Sequence, residues 1–238
     1  FPYTTLFRSR LNTYNDNARI QKQMAEKIIK LLPSKEFGSI LEIGCGTGLL
    51  TERLAVKVEY EEYQALDIVP ECEAFIKNIN SNILFLYDDI ENYIEKTEKQ
   101  YDLIISNAAI QWIENLPEFI EKTTAKLNQG GTLLFSIFGR ENFREISYVL
   151  EKSLKYYSAQ ELQKLLNKYS PLIEEEVRIM AFESPKDVLK HIQSTGVNAI
   201  TSEVWTKKDL INFEKEYNIF CSNHPTLTYN PIYINIKK

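Results

Sequence analysis

Apolar residues recur at helical spacing over residues 13–32, where Ala18, Ile20, Met24, Ala25, Ile28, Ile29, Leu31 and Leu32 form one stripe that Pro33 ends. The stripe predicts a leading amphipathic helix. A short apolar run at 39–43 (SILEI) then meets Gly44, Gly46 and Gly48, and a helix-like run at 49–56 follows, so the pattern reads strand, glycine turn, helix. The rhythm repeats with strands expected at 63–67, 83–86 and 101–106 and helices at 70–80 and 116–127. Strands alternating with helices predict a parallel sheet covered on both faces.

Gln129, Gly130 and Gly131 read as the glycine cap closing the helix at 116–127, and residues 132–138 (TLLFSIF) as the longest apolar strand. Charged amphipathic stretches at 143–157 and 159–169 follow, then a strand at 176–182 and a helix at 185–194. Residues 227–236 alternate and predict an edge strand, where Pro231 is tolerated because an edge N–H can be spared. The expected fold is therefore α/β, a Rossmann-like and mostly parallel seven-stranded sheet whose antiparallel carboxyl-terminal strand lies at the edge.

With 238 residues, 44% of them hydrophobic, one domain with one large core is the simplest organisation. No apolar run approaches the roughly 20 residues needed to cross a bilayer, so no membrane role and a cytoplasmic address are expected. The net charge of -5 argues against nucleic acid as the main partner. Cys45, Cys72 and Cys221 are odd in number and far apart, and His191 and His224 lack neighbours at ligand spacing. Three reduced thiols, surface or capping histidines and no metal site are expected. Residues 3–9 (YTTLFRS) resemble the translation of a sequencing adaptor, so residues 1–9 are set apart as a non-native segment and the domain is read over 10–238.

Glu42-Ile43-Gly44-Cys45-Gly46-Thr47-Gly48 carries the most chemical information. Glycines at every second position let the backbone turn sharply and bring N–H groups close to a ligand. A dinucleotide fold wants a further glycine three residues after Gly46, and Leu49 stands there. Glu42 would repel a phosphate and welcome a methionine ammonium or a sulfonium. The turn therefore suits a cationic nucleoside without phosphate. Asp67 ends the second strand, where an acid accepts from ribose hydroxyls, and Asp88-Asp89-Ile90-Glu91 ends the third, where it can meet an adenine amino group. The plainer alternative is that Asp67 and Asp88 or Asp89 cap the helices that follow.

These features, with the Ser106 to Trp112 stretch (SNAAIQW), resemble class I methyltransferases. The later GGTLLFSIFG, the leading TYNDNARIQ, the TGVNA at 195–199 and a near-terminal LTY narrow the resemblance to the malonyl-acyl carrier protein O-methyltransferases of biotin synthesis. Trans-aconitate methyltransferases share part of it. The resemblance implies S-adenosylmethionine as cofactor, with Glu42, Gly44, Cys45, Gly46 and Gly48 around its methionine part, Asp67 and Ile68 at the ribose, Asp89 and Ile90 at the adenine, and Asn107 beneath the sulfonium. It further implies that Tyr14 and Gln21 close the pocket, and that lid elements lie at 10–33 and 140–175. Tyr14, Asn107 and Trp112 are the candidate catalytic residues.

A malonyl carboxylate is ionised at neutral pH, so methyl transfer to it needs no general base. Trp112 and Phe138 are candidates for apolar walls, with plain core packing as the equal alternative. An acidic carrier protein would need a positive landing face. Arg140, Arg144, Lys152 and Lys155 stand after the fifth strand, yet Glu141, Glu145 and Glu151 interleave with them, so an ion-paired solvated helix is the better expectation. Alternatives are a methyltransferase for a free acid such as trans-aconitate, a cofactor-binding module without catalysis, and a nicotinamide oxidoreductase, which Leu49 and Glu42 disfavour.

Overall fold

A computed structural model describes residues 2–151, 155–194 and 205–238, with the side chains of 2–6 left aside. Lys152 and the TGVNA segment at 195–199 lie outside the described residues. The chain divides into two compact units: one of the segments up to Ala18, Phe138–Ser158 and Glu176–Pro231, the other of Arg19–Ile137, Ala159–Glu175 and Ile232–Lys238.

The second unit holds the sheet. Its strands are β1 (Glu36–Ile43), β2 (Glu59–Asp67), β3 (Leu84–Tyr87), β4 (Tyr101–Asn107), β5 (Leu127–Phe138), β6 (Leu172–Glu175) and β9 (Pro231–Lys237), in the order β3-β2-β1-β4-β5-β9-β6. Strands β3 to β5 pair in parallel through β2, β1 and β4. The order runs outward from β1 in both directions, so right-handed crossovers send the connecting helices to opposite faces. Accordingly α3 (Leu49–Lys57) packs on α4 (Cys72–Ile79), and α5 (Ile90–Lys96) packs on α6 (Leu116–Ala125). Helix α2 (Arg19–Lys30) turns Ile20, Gln21, Met24, Ala25 and Ile28 inward and packs on α3. Among the described residues, no helix is long and apolar enough to cross a membrane.

Four sequence expectations need correction. The leading helix divides into α1 (Pro2–Asn17) and α2 at Ala18, where Asn17 Nδ2 donates to the Thr13 carbonyl at 2.9 Å and competes with the backbone N–H for it. Gly130 and Gly131 do not cap α6, whose cap is Lys126. They lie inside β5, where Gly130 sits at φ 80 beside a register shift against β4, a bulge that needs a left-handed residue. The 227–236 strand is two strands broken at Asn230: β8 (Thr226–Tyr229) pairs with β7 (Arg178–Ala181), and β9 enters the large sheet.

Lastly, β9 is antiparallel but not the edge. The Gly130 and Gly131 end of β5 meets Lys238, and β6 pairs antiparallel outside β9. Pro231 is accommodated as the first residue of its strand, not by edge position.

The first unit gathers α1, α7 (Arg144–Leu150), α9 (Pro185–Ser194), α10 (Lys207–Phe220) and the β7–β8 pair. Fully buried Tyr229 packs edge-on against Phe143, and the buried Glu145 carboxylate accepts from Thr228 N at 2.9 Å and Thr228 Oγ1 at 2.6 Å. Helix α10 opens on a reciprocal capping box between Thr206 and Asp209.

Candidate functional site

The chain leaves β1 at Ile43 and turns through Gly44, Gly46 and Gly48, at φ 67, 53 and 81, before α3 begins at Leu49. A Cβ on Gly44 would overlap that of Ala109, so glycine is required there by contact as well as by φ. The N–H groups of Gly44 and Cys45 donate to the Leu66 carbonyl at 2.8 and 3.1 Å, Gly46 N donates to Asp67 Oδ2 at 2.8 Å, and Gly48 N to the Cys45 carbonyl at 2.9 Å. Four amides that a pyrophosphate cradle would aim outward are thus bonded inward. The turn is built against β2, not around a phosphate.

Glu42, 1% exposed, lies beneath the turn, where its Oε2 accepts from Thr51 Oγ1 at 2.8 Å and from the Tyr63 hydroxyl. Burial pushes its carboxyl up to about 7, against the downward pull of those two hydroxyls. Asp67 is also buried and raised by desolvation, while the N–H groups of Val69 and Gly46 pull the other way. Burial pushes the Cys45 and Cys72 thiols up as well, which makes both inert at neutral pH. Ile68, beside Asp67, is part-exposed.

At the end of β3, Asp89 is the N-cap of α5: its Oδ1 accepts from Glu91 N at 2.9 Å and Asn92 N at 3.3 Å. The capping alternative holds there, with Ile90 opening the helix. Asp67 does not cap α4, whose N-cap is Glu71; its Oδ1 accepts from Val69 N ahead of that helix, and its Oδ2 accepts from Gly46 N and braces the glycine turn.

The end of β4 supplies the opposite wall. Asn107 Nδ2 donates to the Gln21 carbonyl of α2 at 3.0 Å, and its Oδ1 accepts from Ser136 Oγ of β5 at 2.8 Å. Ala108 is left-handed at φ 54, Ala109 meets Gly44, and residues Ile110–Trp112 form one 3-10 turn. Gln21, Asn107 and Ser136 therefore form one connected set, as do Gly46 with Asp67 and Glu42 with Thr51 and Tyr63.

Sequence reasoning overlooked Thr51, Tyr63, Ser136 and the side chain of Gln111. The available signal was Ser136, a polar residue inside the apolar run of β5 and in register with Asn107.

Tyr14 belongs to α1 of the first unit, where its ring meets Phe7 edge-on at 5.0 Å. Phe138 is a buried aromatic of that unit, 5.9 Å from the Tyr229 ring. Arg144 stands 3.8 Å from both Glu141 and Glu145, the ion pairing that the interleaved charges predict, but Glu145 is buried and departs from the solvated face expected of it. His191 departs from the surface reading: its Nε2 lies 2.7 Å from the Tyr229 hydroxyl, and its ring packs on Phe182.

Among the described residues, three buried side-chain oxygens have no hydrogen-bond partner: Gln21 Oε1, Gln111 Oε1 and Thr123 Oγ1. Two of them, acceptors that call for a donor, come from elements joined to Asn107 or Ala108. Buried acids below the turn and unmet amide oxygens on residues bonded to Asn107 and Ala108 fit a cationic ligand that carries N–H groups.

The strand order and the acid-backed glycine turn define a class I methyltransferase. Residues 17–170 match the model of the methyltransferase domain family. The N-methyltransferase NodS of Bradyrhizobium japonicum, solved with S-adenosyl-L-homocysteine, shares the fold at a TM-score of 0.55 and 15% identity, over 100% of this chain and 98% of its own. A malonyl-[acyl-carrier protein] O-methyltransferase of Calditerrivibrio nitroreducens is 34% identical over 94% of this chain and 91% of its own length. One from Bacteroides thetaiotaomicron is 34% identical over 98% and 95%. The chain belongs to the malonyl-[acyl-carrier protein] O-methyltransferase family.

Proposed function

We propose that the chain transfers a methyl group from S-adenosylmethionine to the free carboxylate of a malonyl thioester on acyl carrier protein, a step of biotin synthesis in the cytoplasm. The observation that carries the cofactor half is the glycine turn whose amides bond inward over Glu42 and Asp67. The carrier-protein half rests on the family.

In this reading Glu42, Gly44, Cys45, Gly46 and Gly48 hold the methionine part of the cofactor, Asp67 and Ile68 the ribose, and Asp89 and Ile90 the adenine. Gln21 and Asn107 close the sulfonium side. Tyr14 and Trp112 orient the acceptor. Residues 10–238 act as one methyltransferase domain with lid elements at 10–33 and 140–175.

When bound, the cofactor supplies an electrophilic methyl group on a positive sulfur. Held by Glu42, Gly44, Cys45, Gly46 and Gly48, it would give that methyl group to a carboxylate oxygen, whose lone pair would become the C–O bond while the C–S bonding pair would stay on sulfur as a neutral thioether. The protein's work is alignment and exclusion of water, because opposite charges neutralise each other in the transition state and hydration of either resists that. Neutral-pH carboxylate chemistry asks for no proton acceptor among the side chains.

The deciding experiment is mass spectrometry of malonyl carrier protein after incubation with the chain and S-adenosylmethionine, beside free trans-aconitate. One added methyl group on the carrier supports the reading. Methylation of the free acid alone would replace the acceptor and keep the cofactor.

A further inference from the structure

Gln111 belongs to the turn that follows β4, and none of the roles above uses its side chain. Its Nε2 donates to the Ala108 carbonyl at 2.6 Å, which fixes the orientation of the amide. The other end, Oε1, is buried and has no donor. Leaving such an acceptor unmet costs about 1–3 kcal/mol, which a donor on a bound ligand would recover.

The surroundings indicate which donor belongs there. The stretch that fixes Gln111 also seats Ala109 against Gly44, where the absence of a Cβ is what permits contact. Gln21, tied through its carbonyl to the neighbouring Asn107, presents a second buried amide oxygen without a donor. Two neutral acceptors on residues bonded to Asn107 and Ala108 suit a group with several N–H donors and a positive charge. A carboxylate or phosphate oxygen would meet only repulsion at either.

We propose that Gln111 is a cofactor-binding residue whose Oε1 accepts a hydrogen bond from the α-ammonium group of the bound cofactor. The inference rests on the S-adenosylmethionine reading of the glycine turn and adds a specific contact to it. Gln111 acts there on binding, not on the transferred methyl group.

Calorimetry with S-adenosylhomocysteine and with the same compound lacking its α-amino group tests the contact in the full chain. For Gln111→Met and Gln111→Leu the expected result is a loss of about tenfold or more in affinity for S-adenosylhomocysteine, the scale of one hydrogen bond to a charged group. Affinity for the deaminated compound should stay within about twofold. The ligand-free melting temperature should change little, since removal of the unmet acceptor offsets loss of the bond to the Ala108 carbonyl.

Equal losses for both ligands, or none for either, overturn the assignment while the cofactor reading stands. Wild-type protein that binds neither ligand overturns the cofactor reading and this contact with it. Should one variant fail to fold, the other carries the comparison, and a lowered melting temperature in both with no discrimination between ligands would mark a structural role instead.

Discussion

Asp67 Oδ2 accepts the Gly46 N–H at 2.8 Å while Oδ1 of the same carboxylate accepts the Val69 N–H at 2.9 Å, so one side chain ties the glycine turn of β1 to the end of β2. Shape at the turn and charge beneath it therefore depend on one group. Asp67→Ala should lose on the order of 2 kcal/mol in urea unfolding by stranding two buried amides, together with most cofactor affinity. Asp67→Asn, which keeps one acceptor oxygen, should lose less stability. Equal unfolding midpoints for the two variants would contradict this account.

Gly44 and Gly48 both sit at positive φ, but their surroundings differ. A Cβ on Gly48 meets the mobile tip of Ile79, whereas on Gly44 it meets the Cβ of Ala109, which has nowhere to rotate. Gly48→Ala should cost about 1–2 kcal/mol, the price of left-handed backbone alone. Gly44→Ala should cost more, and Ala109→Gly added to it should restore part of the loss in a thermal melt.

Two buried titratable groups give pH dependences of opposite sign. Glu42 is raised to about 7 by burial, so its native form holds a proton that the unfolded chain releases from about 4.5 upward. That contribution is complete below the unfolded value and disappears as pH rises through about 7, up to on the order of 3 kcal/mol. Burial lowers His191 below its ordinary 6.5, so its contribution is complete above that value and fades as pH falls through the folded one. Urea unfolding across about pH 5 to 8 should show Glu42→Gln flattening the alkaline fall and His191→Gln flattening the acid one.

Glu145 is 1% exposed and holds Thr228 by both N–H and hydroxyl. Replacing it with alanine strands the Thr228 amide and should lower stability by about 2–3 kcal/mol, whereas Glu145→Gln, which retains an acceptor oxygen, should lose less. Paired denaturation curves for the two variants check the difference.

Much of this architecture could be read from residues because local signals and tertiary demands agreed. The glycine turn was legible since three left-handed positions in five residues leave few alternatives to glycine. Helix α9 was found with its bounds, from an amphipathic run opened by a proline.

The misses have physical causes. Gly130 looked like a helix cap because a cap and a bulge both ask for left-handed backbone, and only the partner strand separates them. Strand β6 is four residues of mixed polarity, too short for periodicity to show. Helix α10 went unassigned although Thr206 and Asp209 spell its capping box, because the apolar stripe behind them is weak.

At the site, the glycines, Glu42, Asp67 and Asn107 were legible as a pattern. The sharing of Glu42 between Thr51 and Tyr63 was not, since it joins residues from separate elements that only the folded sheet brings together.

The insertion of β9 between β5 and β6 also orders events in time. Among the described residues strand β6 borders no strand but β9, so when residues 172–175 leave the ribosome their eventual neighbour has not been made. Until β9 arrives, β5 presents an open flank to any extended peptide nearby, and nascent chains halted in that interval are the ones most exposed to wrong pairing.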